Sequence, residues 1–268
     1  MLKRPPQLII PLLKHYTGHV TWRDGSYYYP KIKAKFEEFR LQDRVREFPF
    51  KQFFEREPLQ FLRALIHQLM LHKIKSDKPD EVHFYLAKKR CRFGRVEFGL
   101  VTGLNLLPEP IEEEIEEKGS SNRLIMEYFN DNPSISFGQL RRVFESCTEV
   151  DVYKLGMALF VMGVLTSKEE KTDVPPFVIR MVDNLPFFYK YPWGKISYNK
   201  LMETCKKDYI DVKNKMLKKI EKEVSQKEAK YSSYGYTAVL KYWAYEAILE
   251  LCNKYVVKKS HRFLRMVN

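Results

Sequence analysis

The chain has no apolar run long enough to cross a membrane as a helix. Its longest, LGMALFVMGVL over 155–165, falls well short of the ~20 residues a bilayer needs, so it reads as a buried core helix. Cysteine is scarce. Cys91, Cys147, Cys205 and Cys252 lie far apart, with neither the paired spacing of a zinc site nor the density of a secreted disulfide framework. They are expected to be buried, reduced thiols of an intracellular protein. A small-residue cleavage site is missing from the start, MLKRPPQLIIPLLKHY, where Pro5, Pro6 and Pro11 also interrupt the apolar run. This segment is read as neither signal peptide nor anchor. What the chain does not lack is apolar material: 44% hydrophobic and 14% aromatic residues in 268 exclude disorder of the whole and supply a core.

Charge is plentiful and uneven. The formal net charge is +13, concentrated in residues 1–100 and 201–268, while 101–200 is acidic. Such a distribution draws a polyanion to the two ends, or it simply keeps the surface solvated. Net charge argues for association and solubility, not for specificity.

The densest local signal is RCRFGRVEFGLVTGLN, Arg90 to Asn105. Arg92 and Phe93 end a run with strand character. Arg95 to Leu104 winds into a helix with Phe98, Val101 and Leu104 on one side, and Gly103 with Asn105 closes it in a left-handed cap. Glu97 and Thr102 belong to the same motif. None of these residues forms a nucleophile pair, a metal cage or a phosphate cradle, so the stretch announces an architecture and not a chemistry. Two further aromatic motifs follow: LPFFYKYPWGKISY at 185–198, with Tyr191, Pro192, Trp193 and Gly194 at its centre, and YGYTAVLKYWAYEAI at 234–248, with Trp243 and Glu246.

In order and spacing the three motifs closely resemble the plant domain of unknown function numbered nineteen-eighty-five. That module precedes a protease domain specific for ubiquitin-like proteins (a SUMO protease) in many transposon-derived plant proteins. The resemblance covers roughly residues 48–268, and Phe263, Leu264, Arg265 and Met266 look like its closing motif. It implies a helical module with no enzymatic role of its own, in a nuclear protein whose protease belongs to a separate, later domain.

Outside the motifs, residues 1–47 read as an irregular basic lead-in, with a short strand at Tyr27–Tyr29 before Pro30 and a short helix from Ile32 to Phe39. An amphipathic helix starts near Pro58, with Phe61, Leu62, Leu65, Ile66, Leu69 and Met70 at helical spacing. Val82 to Phe93 alternates and turns around Lys88 and Lys89, which predicts an antiparallel hairpin feeding the signature helix. Residues 107–121, LPEPIEEEIEEKGSS, predict an acidic, solvated linker loop. A short helix is expected over Arg123–Phe129. Ser136 and Gln139 form a capping box before another, Val152–Leu165 is the buried helix, and Pro175 and Pro176 open one over Phe177–Asn184. Ser197 is expected to cap a long charged helix reaching about Lys230, and Thr237 to Tyr255 a final core helix. The fold class predicted is mainly α within α+β: a helical body with a small hairpin.

Candidate sites compete with plainer readings. His15 and His19, with His67 and His72, bind a metal only if both pairs converge with a carboxylate such as Asp24; ordinary surface histidines are favoured. Cys91 lies between Arg90 and Arg92, which lowers a thiol pKa, yet no protease motif surrounds it. Lys88, Lys89, Arg90, Arg92 and Arg95 form the sharpest basic cluster, suited to nucleic-acid phosphates or a partner contact, although a hairpin turn is exposed and solvated in any case and Arg92 also suits a structural ion pair with Glu97. Tyr191–Gly194 reads as a packed corner ahead of a ligand-stacking platform. The function expected is a non-catalytic protein-interaction or assembly module, with an attached protease or another protein as partner. Nucleic-acid binding through the basic hairpin and C-terminal helices is the alternative. No membrane, small-molecule substrate, cofactor or metal is expected.

Overall fold

Only a helix apolar on every side can sit at the centre of a globular fold, and Val152–Phe160 meets that condition, burying every residue but Lys154. In the computed structural model, which describes residues 6–22, 25–46, 49–54, 63–148, 150–221 and 229–248, it continues into a wholly buried π-helical turn, Val161–Leu165. Aromatic rings close around this axis: Phe36 stacks on Tyr153 at 5.4 Å, and Phe50, Phe53 and Phe54 surround Phe160 at 5.1 to 5.6 Å. Fourteen α-helices and seven short strands occur among the described residues, a mainly helical α+β fold.

The strands, in chain order, are β1 (Gly18–Trp22), β2 (Lys73–Ile74), β3 (Val82–Leu86), β4 (Lys89–Phe93), β5 (Ile135–Ser136), β6 (Asp173–Val174) and β7 (Ala229–Ser233). They make an antiparallel sheet in the order β2-β3-β4, an antiparallel β5-β6 pair, and a parallel pair in which β1 runs beside β7. His67 fastens the parallel pair to helix Arg63–Leu71. Its Nε2 donates to the Tyr16 carbonyl at 2.8 Å and its Nδ1 meets the Tyr231 hydroxyl at 3.0 Å.

The described residues before 48 are thus no irregular lead-in. The strand expected at Tyr27–Tyr29 is instead part of one helix, Gly25–Glu38, which runs through Pro30. Tyr28, Tyr29, Ile32 and Phe36 fall on one face at helical spacing and are all buried, and this burial overrides the strand preference of a tyrosine run. The acidic linker also carries a helix, Glu112–Lys118, with no buried residue; three glutamates in its first turn suit the positive end of the helix dipole. The long charged helix is two, Trp193–Cys205 and Tyr209–Ile220. Asp208 separates them, its carboxylate accepting from the Ile210 and Asp211 amides at 2.8 and 3.1 Å, an N-cap that begins the second helix afresh. Ser197 lies inside the first helix and not at its cap. The helix opened by Pro175 and Pro176 ends at Met181, short of Asn184, and Asn184 instead caps a separate helix, Leu185–Lys190. The hairpin, the capping box at Ser136, and helices Arg123–Phe129 and Arg95–Thr102 stand where the sequence puts them. The last helix runs Val239–Ala247. Leu251, Tyr255, Cys252 and the closing motif at Phe263–Met266 lie outside the described residues, as do Pro58, Phe61 and Leu62.

One polar knot joins three helices. Arg123 binds Asp151 through two bonds of 2.7 Å and Asp183 at 2.7 Å, and Lys154 reaches Asp183 as well. Asp183 sits under opposing influences: burial raises its pKa, but bonds from Arg123, Lys154 and Ser121 outweigh this and hold it well below the usual carboxylate range. For Asp151 the Arg123 bond leads and the direction is also down. A carboxylate depressed in the folded state stabilises above its unfolded pKa near 4 and loses that contribution as pH falls below it. Asp183→Asn is therefore expected to cost about 2 kcal/mol at neutral pH, read from urea midpoints, and this deficit shrinks when the same titration is run near pH 3. An equal deficit at both pH values contradicts the assignment.

Candidate functional site

The three aromatic motifs meet on helix Trp193–Cys205. Gly194 lies so close to the end of the signature helix that a Cβ there would collide with the Asn105 carbonyl oxygen and sit 2.7 Å from the Leu104 Cβ. Gly235, at φ 72°, presses the third motif on the same helix, where a Cβ would stand 2.5 Å from both the Ser197 carbonyl and the Leu201 amide. Rings fill the space between. Trp243 packs on Phe84 and Phe93 at 5.3 and 5.4 Å, and Phe98 meets Tyr198 at 5.5 Å. Trp193 is buried against Tyr191 at 4.5 Å and donates from Nε1 to the Phe188 carbonyl at 2.7 Å. Pro192 is buried beside it and Glu246 is half-buried. Thr102, fully buried, donates to the Phe98 carbonyl, and Gly103 takes the left-handed cap at φ 68°. Leu104 is buried.

Two contributors to this docking escaped the sequence reading. Lys73, buried in β2, donates to the Cys205 carbonyl at 2.6 Å and to the Lys207 carbonyl at 3.3 Å, closing the C-terminus of the central helix where a cation suits the dipole. Desolvation lowers its pKa. Gln52 donates to the Thr102 carbonyl at 2.9 Å. A lone lysine in a basic stretch and a glutamine among phenylalanines carry no spacing signal for either role.

The basic cluster sits on this scaffold as an exposed wing. Ala87 and Lys88 both have positive φ, 46° and 61°, the type I′ geometry of a two-residue hairpin turn, which ordinarily takes Asn-Gly. Arg92 is committed: its guanidinium holds Glu97 at 2.7 Å and approaches Glu81 at 3.7 Å, while the other Glu97 oxygen accepts from the Gly94 amide at the helix start. Lys88, Lys89, Arg90 and Arg95 are exposed and form no ion pair among the described residues. Among the described residues, the five cations thus divide into one structural arginine and four free charges.

The cysteines and histidines read differently from the expectation. Burial pushes the Cys91 thiol up, with Lys89 only partly offsetting it, so its basic neighbours do not make it a thiolate. Cys147 is buried, and Cys205 is buried with a pKa pushed up by desolvation to about 12. His67 is a core residue, not a surface one. One member of each histidine pair does meet the other, His15 and His72 with ring centroids 5.0 Å apart, whereas His19 bonds Arg63 and Asp24 lies outside the described residues. Among the described residues no three His, Cys, Asp or Glu groups stand together as a metal site.

Gly194→Ala is expected to destabilise by about 2 kcal/mol, since the new methyl overpacks a backbone contact. Urea unfolding of the variant against wild type reads this directly, and an unchanged midpoint contradicts the docking geometry.

No curated protein and no solved structure matches the chain. A family model does, over residues 70–204, a span that contains the hairpin, the signature helix and the motif around Trp193 and stops short of the third motif. That span is just over half of the chain, and on it the protein belongs to the family described as Domain of unknown function (DUF1985).

Proposed function

We propose that the chain is a non-catalytic interaction and assembly module of a plant nuclear protein of transposon origin. Its partner is another protein, including a SUMO-protease-like domain carried on the same polypeptide. One observation carries this reading: three consecutive cations, Lys88, Lys89 and Arg90, are unpaired among the described residues, on a turn whose strands are held to the core through Phe84, Phe93 and Trp243. Lys88 occupies a left-handed position that suits glycine, so the turn trades backbone ease for a charge held at a fixed place. A rigid, exposed, basic element suits an acidic partner surface.

The same free cations, with Arg95, favour nucleic acid as the second reading. Against it stands the mixed sign of the hairpin's outer side, where Glu81 and Glu97 flank Arg92. A duplex backbone is met better by continuous positive charge.

Polyglutamate and a short DNA duplex, each labelled for fluorescence anisotropy, separate the readings. The charge-reversed variant K88E/K89E/R90E is expected to weaken polyglutamate binding roughly tenfold, in line with a few tenths to 1 kcal/mol per exposed charge. Equal affinity of the variant removes the hairpin from the reading. Tighter binding to the duplex, with log K falling at about −0.9 per neutralised phosphate against log salt, transfers the assignment to nucleic acid.

A further inference from the structure

Among the described residues, the antiparallel sheet is closed on one side and open on the other. On the β2 side, Leu8 bridges Ile74 and the Ile9 amide donates to the Lys73 carbonyl at 2.9 Å. On the other side β4 is the last strand.

The hairpin register tells which backbone groups that edge presents. Leu86 pairs with Lys89 across the two-residue turn, Phe84 with Cys91, and Val82 with Phe93. In such a hairpin the pair flanking the turn exchanges both hydrogen bonds, and bonding alternates from there. Lys89, Cys91 and Phe93 therefore turn their amides and carbonyls toward β3, and Tyr85 turns its own toward β2. The bond from the Tyr85 amide to the His72 carbonyl, 2.9 Å, agrees with that parity. By the same alternation Arg90 and Arg92 point their N–H and C=O groups away from the sheet, and no backbone partner meets them among the described residues.

We infer that the open edge of β4 takes an extended acidic segment of a partner protein as a fourth strand. This rests on the reading of the chain as a protein-interaction module and names the mode of contact. The two faces of the strand set the chemistry of the guest. Arg90 and Arg92 lie on the outer face with Tyr85 and His83, and among the described residues Arg90 is unpaired there while Arg92 is held by Glu97. Cys91 and Phe93 lie on the inner face, half-buried and buried. A strand that alternates acidic with apolar residues places carboxylates beside Arg90 and near Lys88, and its apolar side chains beside Cys91. Main-chain bonds at Arg90 and Arg92 then hold it, as in strand-addition recognition. Lysine and arginine on an edge normally guard it against pairing with its own kind. Here the guard is selective, because the charge that repels a second copy of β4 attracts an acidic strand.

The test uses the full chain and three labelled peptides of alternating Glu and Val, read by fluorescence anisotropy. One is unmodified, one is N-methylated at the amides that face β4, and one is N-methylated at the amides that face away. Binding of the first and third with at least tenfold loss for the second is the expected result. Arg90→Pro removes the outward N–H without touching the β3 ladder, a substitution an edge strand tolerates. It is expected to weaken the unmodified peptide as much as methylation does, whereas Arg90→Gln, which keeps the N–H, retains more of the binding. Equal binding of all three peptides overturns strand addition and leaves a charge contact through the hairpin. Failure of every peptide, together with no effect of K88E/K89E/R90E on polyglutamate, overturns both. Displacement of the unmodified peptide by a tighter-binding DNA duplex also overturns strand addition.

Discussion

The backbone contact at Gly194 is the constraint from which most of the architecture follows. A side chain there would force apart the signature helix and the central helix Trp193–Cys205, and with them the rings that share the gap. Gly235 performs the same service for the third motif on the same helix. Because both approaches fall on one rod, three segments separated by scores of residues are fixed relative to one another, and Trp243 ends up wedged between Phe84 and Phe93 on the two hairpin strands. The hairpin is therefore no loose appendage. It is held by closely packed rings while its turn stays in water.

Charge is divided in a way that follows burial. Several cations that approach the interior are answered there, Arg123 by Asp151 and Asp183 and Lys73 by two carbonyls at a helix terminus, and the more exposed Arg92 is held by Glu97. Leaving such groups unanswered away from water costs several kcal/mol. On the wing no such demand exists, and four cations go unpaired among the described residues.

The elements legible in the sequence were those whose burial pattern repeats at a single period. Val82–Phe93 alternates because one face meets Trp243 and the other meets solvent, and Val152–Leu165 is apolar but for Lys154 because every other residue in it is buried. Misreadings arose where two signals compete. Tyr27–Tyr29 carries strand propensity, yet Tyr28, Tyr29, Ile32 and Phe36 fall on a helical face. The apolar stripe past Cys205 keeps a helical rhythm straight through a break, since Asp208 reads as one more surface charge until its carboxylate is seen to cap Ile210 and Asp211. The Arg92–Glu97 pair was legible, lying within one short motif. The Arg123 knot and the Lys73 cap were not, because their partners are distant in sequence and nothing local marks them.

The parallel pair β1–β7 sets Gly18 opposite Ala229 and Trp22 opposite Ser233, so about three quarters of the sequence lies between two strands that must lie side by side. Closing a loop of about two hundred residues is an entropic cost met late, after local helices and the hairpin have formed. On the ribosome β1 emerges early and waits for the rest of the module, with helix Arg63–Leu71 and its His67 the first surface able to shelter it. The order of synthesis thus works against the order of assembly, and a nascent module halted before residue 229 would carry an unmatched strand, a natural target for chaperones.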